Sequence, residues 1–458
     1  MFHTDTIAAI STGMTSSGIG IVRISGPDAV EIADKIYDSR NGKKLADMPT
    51  HTIHYGYIRD GEEFLDEVLV MLMRGPRSFT AEDTVEINCH GGVYAMNRIL
   101  ELVTRKGARL AEPGEFTKRA FLNGRIDLSQ AEAVIDVINA KNEYALKSSV
   151  SQLKGSVLKA VREIREKIIY HIAYIESALD DPEHISLDGY PEQLEEQTEQ
   201  WIEKITSLIA SAENGKRMKE GIRTVIVGKP NAGKSSLLNV LLGEERAIVT
   251  DIAGTTRDVL EEQMSLSGIS LNIIDTAGIR ETEDVVEKIG VKKAKTYAKD
   301  ADLVIYVVDS STQLDENDEE IMELIRDRKA IVLLNKMDLD PVTTEEMIRE
   351  RLDKPVIPIS AKEEQGIDRL EQTVKDMFYD GNLSFNDQIY ITNMRQKAAL
   401  SEALESLKQV MTSIQNQMPE DFFSIDLMNV YEELGSITGE SVGEDLVNEI
   451  FSKFCMGK

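Results

Sequence analysis

Hydrophobic positions along this chain change their period at about residues 118, 220 and 380, and each change marks a different kind of architecture. Up to about residue 118 the apolar residues come in short β-type runs, at residues 19–24, 51–58, 67–73 and 84–88. Turn signals such as Ser25-Gly26-Pro27 and Gly75-Pro76 separate them. One helical stretch, residues 93–106, follows His90-Gly91-Gly92. This part reads as an α+β unit. From Phe116 to Arg217 the period becomes helical: Leu128, Ala131, Ile135 and Ile138 recur three or four apart, and the only prolines are Pro182 and Pro191. Residues 394–454 share that character, with Leu400, Leu404, Leu407 and Met411 on one repeat. Between these helical segments lie apolar runs at 222–227, 271–274, 303–308, 331–334 and 355–359, each followed by a loop and a helical pattern. That alternation predicts a mostly parallel sheet with helices on both faces.

At 458 residues the chain is too long for one ordinary core. The expected fold is multidomain α/β. An α+β domain spans 1–118, a helical domain is assembled from 119–219 and 381–458, and a nucleotide-binding domain of 220–380 is inserted into it. Two separate helical bundles are the competing arrangement.

Composition narrows the class. With 41% apolar and 29% charged residues the chain is ordinary for a globular protein, so disordered and fibrous classes fall away. No apolar run approaches the roughly 20 residues of a membrane helix, and the first residues lack the basic start of a secretory signal. Two cysteines, Cys89 and Cys455, cannot build a disulfide framework or a four-cysteine zinc site, and a reducing cytoplasm is expected. The net charge of −28 opposes phosphate backbones. If RNA is involved, a local basic patch or a basic partner must carry most of the contacts.

Four motifs carry chemistry. Gly228-Lys-Pro-Asn-Ala-Gly-Lys-Ser235 fits the phosphate-loop pattern between a strand and a helix. Its glycines let backbone N–H groups of Asn231, Ala232 and Gly233 curl around a phosphate, and the helix start adds a positive dipole end. Lys234 can reach the β- and γ-phosphates, Ser235 can ligate Mg²⁺, and Ser236 follows on the same helix turn. Asp275-Thr276-Ala277-Gly278, after the strand at 271–274, can hold the Mg²⁺ shell through Asp275 and offer the Gly278 N–H to a γ-phosphate. Taken alone that tetrapeptide is a strand-ending turn. Asn335-Lys336-Met337-Asp338 selects the base: Asp338 can accept from the ring N–H and the exocyclic amine of guanine, a pair of donors that adenine does not present. Asn335 is expected to brace the phosphate loop, and Lys336 to lie along the base. Ser360-Ala361-Lys362 follows the last strand, where the Ala361 N–H can meet the guanine oxygen.

Between the first two motifs, Thr250-Asp251-Ile252-Ala253-Gly254-Thr255-Thr256 suits a switch loop, with Thr256 as a second Mg²⁺ ligand. Ile279 stands where Ras-type enzymes have a water-orienting glutamine, so water positioning and charge neutralisation must come from elsewhere. The side-chain oxygen of Asn231 can hold a monovalent cation there. Cys455 has no histidine nearby in sequence and is assigned no catalytic role. His90 reads as a turn histidine.

With these motifs in order, the sequence resembles the tRNA-modification GTPase family MnmE (TrmE) over its full length. The resemblance rests on Pro-Asn-Ala-Gly-Lys-Ser-Ser (230–236), Thr-Asp-Ile-Ala-Gly-Thr-Thr-Arg-Asp (250–258), Pro113-Gly114-Glu115-Phe116 with Arg119-Ala-Phe-Leu-Asn123, and the terminal Phe454-Cys455-Met456-Gly457-Lys458. It implies a Ras-like P-loop GTPase domain and a cytoplasmic homodimer. It also implies a partner flavoprotein, MnmG, and an aminomethyl-type modification of the wobble uridine of tRNAs, which are contacted mainly through the partner. A 5-formyl- or methylene-tetrahydrofolate supplies the one-carbon unit, on Arg23, Glu86, Arg125 and Lys458. K⁺ stimulation falls on Asn231, Thr250, Ile252 and Thr255, and Mg²⁺ on Ser235 and Thr256. The resemblance makes Glu287 the water-orienting carboxylate, acting with Lys234 and Thr256; its sequence context alone reads as a solvated helix position. A ribosome-assembly GTPase switch is the rival reading. It is disfavoured by the single set of motifs and the acidic balance.

Overall fold

The computed structural model describes residues 5–40, 42–243, 262–266, 269–274, 301–379, 389, 391–454 and 457. These fall into two compact units: Met1–Ile138 with Gln152–Trp201 and Glu402–Lys458, and Asn139–Ser151 with Ile202–Ser401.

The first unit is built on a sheet of β1 (Ile7–Ile10), β2 (Ser17–Ser25), β3 (Tyr37–Ser39), β4 (Thr52–Asp60), β5 (Glu63–Met73), β6 (Thr84–Gly91) and β7 (Arg109–Leu110). Their order is β3-β4-β5-β6-β2-β1-β7, antiparallel except for β1 with β7. β5 alternates as a half-covered strand should: Val68, Val70 and Leu72 are buried while Glu67 and Leu69 face outward. The buried face meets Met96, Ile99, Leu102 and Val103 of helix Val93–Arg105. In the same unit helix Ser156–Asp180 packs along helix Glu420–Thr438. Arg165 locks the pair, with its guanidinium 4.0 Å from the Tyr431 ring centre and 2.6 Å from Glu440 Oε2.

The second unit contains β8 (Ile222–Val227), β9 (Glu262–Leu266), β10 (Ile269–Ile273), β11 (Leu303–Asp309), β12 (Ala330–Asn335) and β13 (Val356–Pro358). The order is β13-β12-β11-β8-β10-β9, parallel apart from the β9–β10 hairpin. β11 and β12 are buried at every position, which is why their sequences are unbroken apolar runs. The expected parallel α/β domain is therefore present.

Three details differ from the expectations. β1, β3, β7, β9 and helix Ala29–Asp34 leave no periodic signal: they are short, and β9 (Glu-Gln-Met-Ser-Leu) is largely polar. Ile138 is 42% exposed whereas Glu132 and Asp136 of the same helix are buried, so the apolar repeat does not define the packed face there. His90 belongs to β6, not to a turn, and its Nδ1 lies 2.7 Å from Asp66 Oδ1.

Candidate functional site

Parallel strands point their C-terminal ends to one edge, and in this sheet the loops after β8, β12 and β13 gather there. The loop after β8 is residues 228–233, and helix Lys234–Gly243 starts directly behind it. The backbone of that loop is left-handed at Asn231 (φ 61°) and Gly233 (φ 97°). Gly233 is forced by its neighbour, since a Cβ there would lie 2.1 Å from Asn335 Nδ2. Lys234 Nζ turns back to donate to the Gly228 and Lys229 carbonyls at 2.8 and 2.7 Å. Burial pushes its pKa down from the ordinary lysine value. An ammonium held under an open loop by two carbonyls is poised to be drawn off by a stronger acceptor, such as a phosphate oxygen.

Asn335 ends β12 and is buried. Its Nδ2 donates to the Ala232 carbonyl at 2.9 Å, and its Oδ1 accepts from the Ala361 N–H at 3.0 Å. One amide thus ties the phosphate loop to the loop after β13, as the expected brace. The Ala361 N–H, expected to meet a guanine oxygen, donates to Asn335 instead.

Asp338 Oδ1 accepts from Ser360 Oγ at 2.8 Å. That hydrogen bond, with Lys362 Nζ 3.8 Å from Oδ2, holds the carboxyl below the usual carboxylate range, so it stays an acceptor through neutral pH. Lys336 has φ 66°, and its Nζ pairs with Asp309 Oδ2 at 2.6 Å. Asp309 also accepts from the Ser311 N–H and Oγ at 3.0 and 2.6 Å. Burial alone would raise the Asp309 carboxyl, but these bonds from Lys336 and Ser311 outweigh it and hold it low.

Among the described residues no group of three or more His, Cys, Asp or Glu side chains could hold a metal ion. The residues that are present suit Mg²⁺, which keeps its waters and takes phosphate oxygens with one or two protein oxygens. Ser235, exposed in the first helical turn beside the loop, offers such a hydroxyl.

A second cluster lies in the first unit. The β2–β6 register sets Arg23 opposite Glu86, and Arg23 Nε donates to Glu86 Oε1 at 2.7 Å. The Arg23 guanidinium sits 5.5 Å from the ring centres of both Phe79 and Phe116, and that of Arg125 lies 5.1 Å from Phe79. The Gly457 carbonyl accepts from Ser11 Oγ at 2.9 Å and from Arg23 Nη1 at 3.4 Å. Beneath them the fully buried Arg119 bonds Asp5 Oδ1 at 2.8 Å and Glu115 Oε1 at 3.0 Å. Asn123 Nδ2 donates to the Thr80 carbonyl at 2.7 Å, beside Phe79. Phe116 of the unusual sequence motif thus touches Arg23, while Arg119 and Asn123 of the same motif bond Glu82 and the Thr80 carbonyl beside Phe79. Two guanidiniums, a carboxylate and aromatic faces suit a flat, polar, anionic ligand. Phe79 carried no sequence signal of its own.

A family model described as the MnmE helical domain matches residues 128–455, and another, described as GTP-binding protein TrmE N-terminus, matches residues 6–125. The chain is 62% identical over 456 residues to the tRNA modification GTPase MnmE of Lachnoclostridium phytofermentans, across 99% of this chain and 100% of that relative. The chain belongs to the MnmE family of tRNA modification GTPases. Identity to the MnmE of Clostridioides difficile is 50%, and to that of Geobacillus kaustophilus 49%, each over 100% of both chains.

Of the site residues expected for an MnmE-family chain, Asn231, Ala232, Gly233, Lys234, Ser235, Ser236, Asn335, Lys336, Asp338, Ser360, Ala361 and Lys362 gather at one sheet edge in the second unit. Arg23, Glu86 and Arg125 come together in the first. Thr250, Asp251, Ile252, Ala253, Gly254, Thr255, Thr256, Asp275, Thr276, Ala277, Gly278, Glu287, Cys455 and Lys458 lie outside the described residues. No helix among the described residues is long and apolar enough to cross a membrane.

Proposed function

We propose that this chain is a K⁺-stimulated GTP hydrolase. It acts as a homodimer with an MnmG-type flavoprotein to install the aminomethyl-type group on the wobble uridine of tRNAs. The observation that carries the nucleotide half is the Asn335 amide, which joins the phosphate loop to the segment that orients Asp338. The loop N–H groups and Lys234 would bind the β- and γ-phosphates, and Asp338 would select guanine by accepting its two adjacent donors. Ser235 and Thr256 would hold Mg²⁺, which when bound offsets charge on the β- and γ-oxygens. Asn231, exposed at the turn of the loop, would hold a K⁺ beside those phosphates, together with Thr250, Ile252 and Thr255; Glu287 would orient the attacking water. Equal turnover in KCl and NaCl would remove Asn231 from that role.

The modification half is supported by the family and by the Arg23–Glu86–Arg125 cluster around Phe79. A reduced folate bound there would supply the one-carbon unit, with Arg23, Glu86, Arg125 and Lys458 as its contacts. Arg23→Ala leaves Glu86 without its partner and is expected to weaken binding of 5-formyltetrahydrofolate at least about tenfold, the loss of one charge-assisted pair. GTP affinity should not change. Undiminished folate binding would take Arg23 out of the site. With a net charge of −28, tRNA is expected to bind mainly through the flavoprotein. The reading as a whole is tested by mass spectrometry of wobble nucleosides from a strain lacking the gene: the aminomethyl-type modification should vanish and return on complementation, and unchanged tRNA would overturn it.

A further inference from the structure

Lys229, the second residue of the phosphate loop, has a side chain fully engaged by the protein. Its ammonium donates to Asp318 Oδ2 at 2.6 Å and to Asp315 Oδ2 at 3.1 Å. Asp318 is 1% exposed, and its Oδ1 accepts from the hydroxyl of Tyr306 at 2.7 Å; Tyr306, on β11, is completely buried. Asp318 Oδ2 also accepts the Asp315 N–H at 3.0 Å, while Asp315 caps helix Glu316–Ile325. At the other end of the same residue, the Lys229 carbonyl accepts from Lys234 Nζ. Strand β11, the start of a helix, the phosphate loop and its lysine are therefore connected through one residue.

We propose that Lys229 is a positioning residue for GTP turnover: clamped by Asp318, it fixes the curl of the phosphate loop and the carbonyl against which Lys234 rests. The physical grounds are two. A loop left-handed at both Asn231 and Gly233 needs an external tether to stay in that shape, and Asn335 ties only its far end. A carboxylate as buried as Asp318 needs a cation, and Lys229 is the cation that the loop brings to it. The Lys229 charge is thereby committed to Asp318 and Asp315 and is not the one that meets the nucleotide, which leaves that task to Lys234. Burial alone would lower the pKa of Lys229, but hydrogen bonds to Asp318 and Asp315 outweigh it and keep the ammonium charged.

The clamp rests on the nucleotide reading, and the experiment separates the two. Full-length wild type, Lys229→Ala, Lys229→Arg, Asp318→Asn and the Lys229→Ala/Asp318→Asn double variant are compared for GTP affinity, kcat, KM and thermal midpoint. Lys229→Ala should lower kcat/KM about a hundredfold, with kcat falling as well as affinity, because misplacing a loop by an ångström costs about that much. Lys229→Arg, which can still fork onto the two carboxylates, should recover to within about threefold. Asp318→Asn keeps a partner for the Tyr306 hydroxyl and should reproduce the loss, and the double variant should be no worse than either single change. Wild-type turnover in folded Lys229→Ala overturns the proposal, as do losses that multiply in the double variant or a lowered midpoint with unchanged turnover. If Lys229→Ala does not fold, wild-type turnover in Asp318→Asn overturns it instead. A wild-type chain that fails to bind GTP would overturn the nucleotide reading, not the clamp alone.

Discussion

Lys234→Ala is expected to lower the kcat for GTP by about a thousandfold, or ~4 kcal/mol of transition-state stabilisation, the upper range for removing one preorganised charge donor. The reason lies in where the ammonium rests. It is half-buried under the loop and held by the Gly228 and Lys229 carbonyls, neither of which carries a full charge. Transfer to a phosphate exchanges neutral acceptors for anionic ones, and the attraction grows as negative charge gathers on the phosphoryl oxygens during transfer. Alanine removes that response and leaves the two carbonyls turned toward the loop. Because the strands and helix behind the loop make their own core around Ile226, Leu237 and Ile305, the variant should fold. Single-turnover GTP hydrolysis with circular dichroism as a control measures this, and a loss of less than about tenfold would remove Lys234 from the transition state.

Asp338→Asn is expected to weaken GTP binding about a hundredfold and to favour xanthosine triphosphate in its place. Guanine presents two adjacent donors, the ring N–H and the exocyclic amine. A carboxylate accepts both, whereas an amide accepts one and sets its own NH₂ against the amine. Xanthine carries an oxygen at that position, which can accept from the amide. Ser360 Oγ should still hold the new side chain in place, so the change is in chemistry more than in geometry. Competition binding with the two nucleotides decides it. Unchanged preference for GTP would mean that Asp338 does not read the base.

How much of the fold and the site was legible in the sequence follows from which physical signals a sequence carries. β11 and β12 are buried on both faces, so each is an apolar run up to its last residue, β8 adds Val225–Val227, and the parallel sheet could be read from them. β7 is two residues long and β9 is polar; both are held by pairing with neighbours that no local pattern reveals. The candidate nucleotide residues stand out in the sequence because a ligand of fixed size would fix their spacing. The Asn335 brace was legible in one direction only: the contact with the phosphate loop was expected, while its use of the Ala361 N–H was not. Lys229 and Asp318 are 89 positions apart and meet because β8 and β11 are adjacent and parallel, a fact of topology. Phe79 stayed hidden for the same reason. Its ring acquires meaning only once the β2–β6 register places Arg23 beside Glu86 and the turn after helix Glu115–Leu122 returns Arg125 to the same ring.

The acidic balance is also easier to place once the fold is known. Asp318 and Asp309 are buried against Lys229 and Lys336, and the exposed Asp315 also pairs with Lys229, so part of the negative charge serves to hold lysines of the proposed nucleotide site.

The proposed function depends most on a purine pocket that reads guanine while the loop around Lys234 grips phosphate. Isothermal titration of the full-length protein with GTP and with ATP, in the presence of Mg²⁺, tests that most directly. Tight binding of GTP with ATP at least about a thousandfold weaker is the predicted result, since an unpaired Asp338 facing adenine carries the full cost of a lost pair of bonds. Equal affinity for the two nucleotides, or no heat with either, would contradict it.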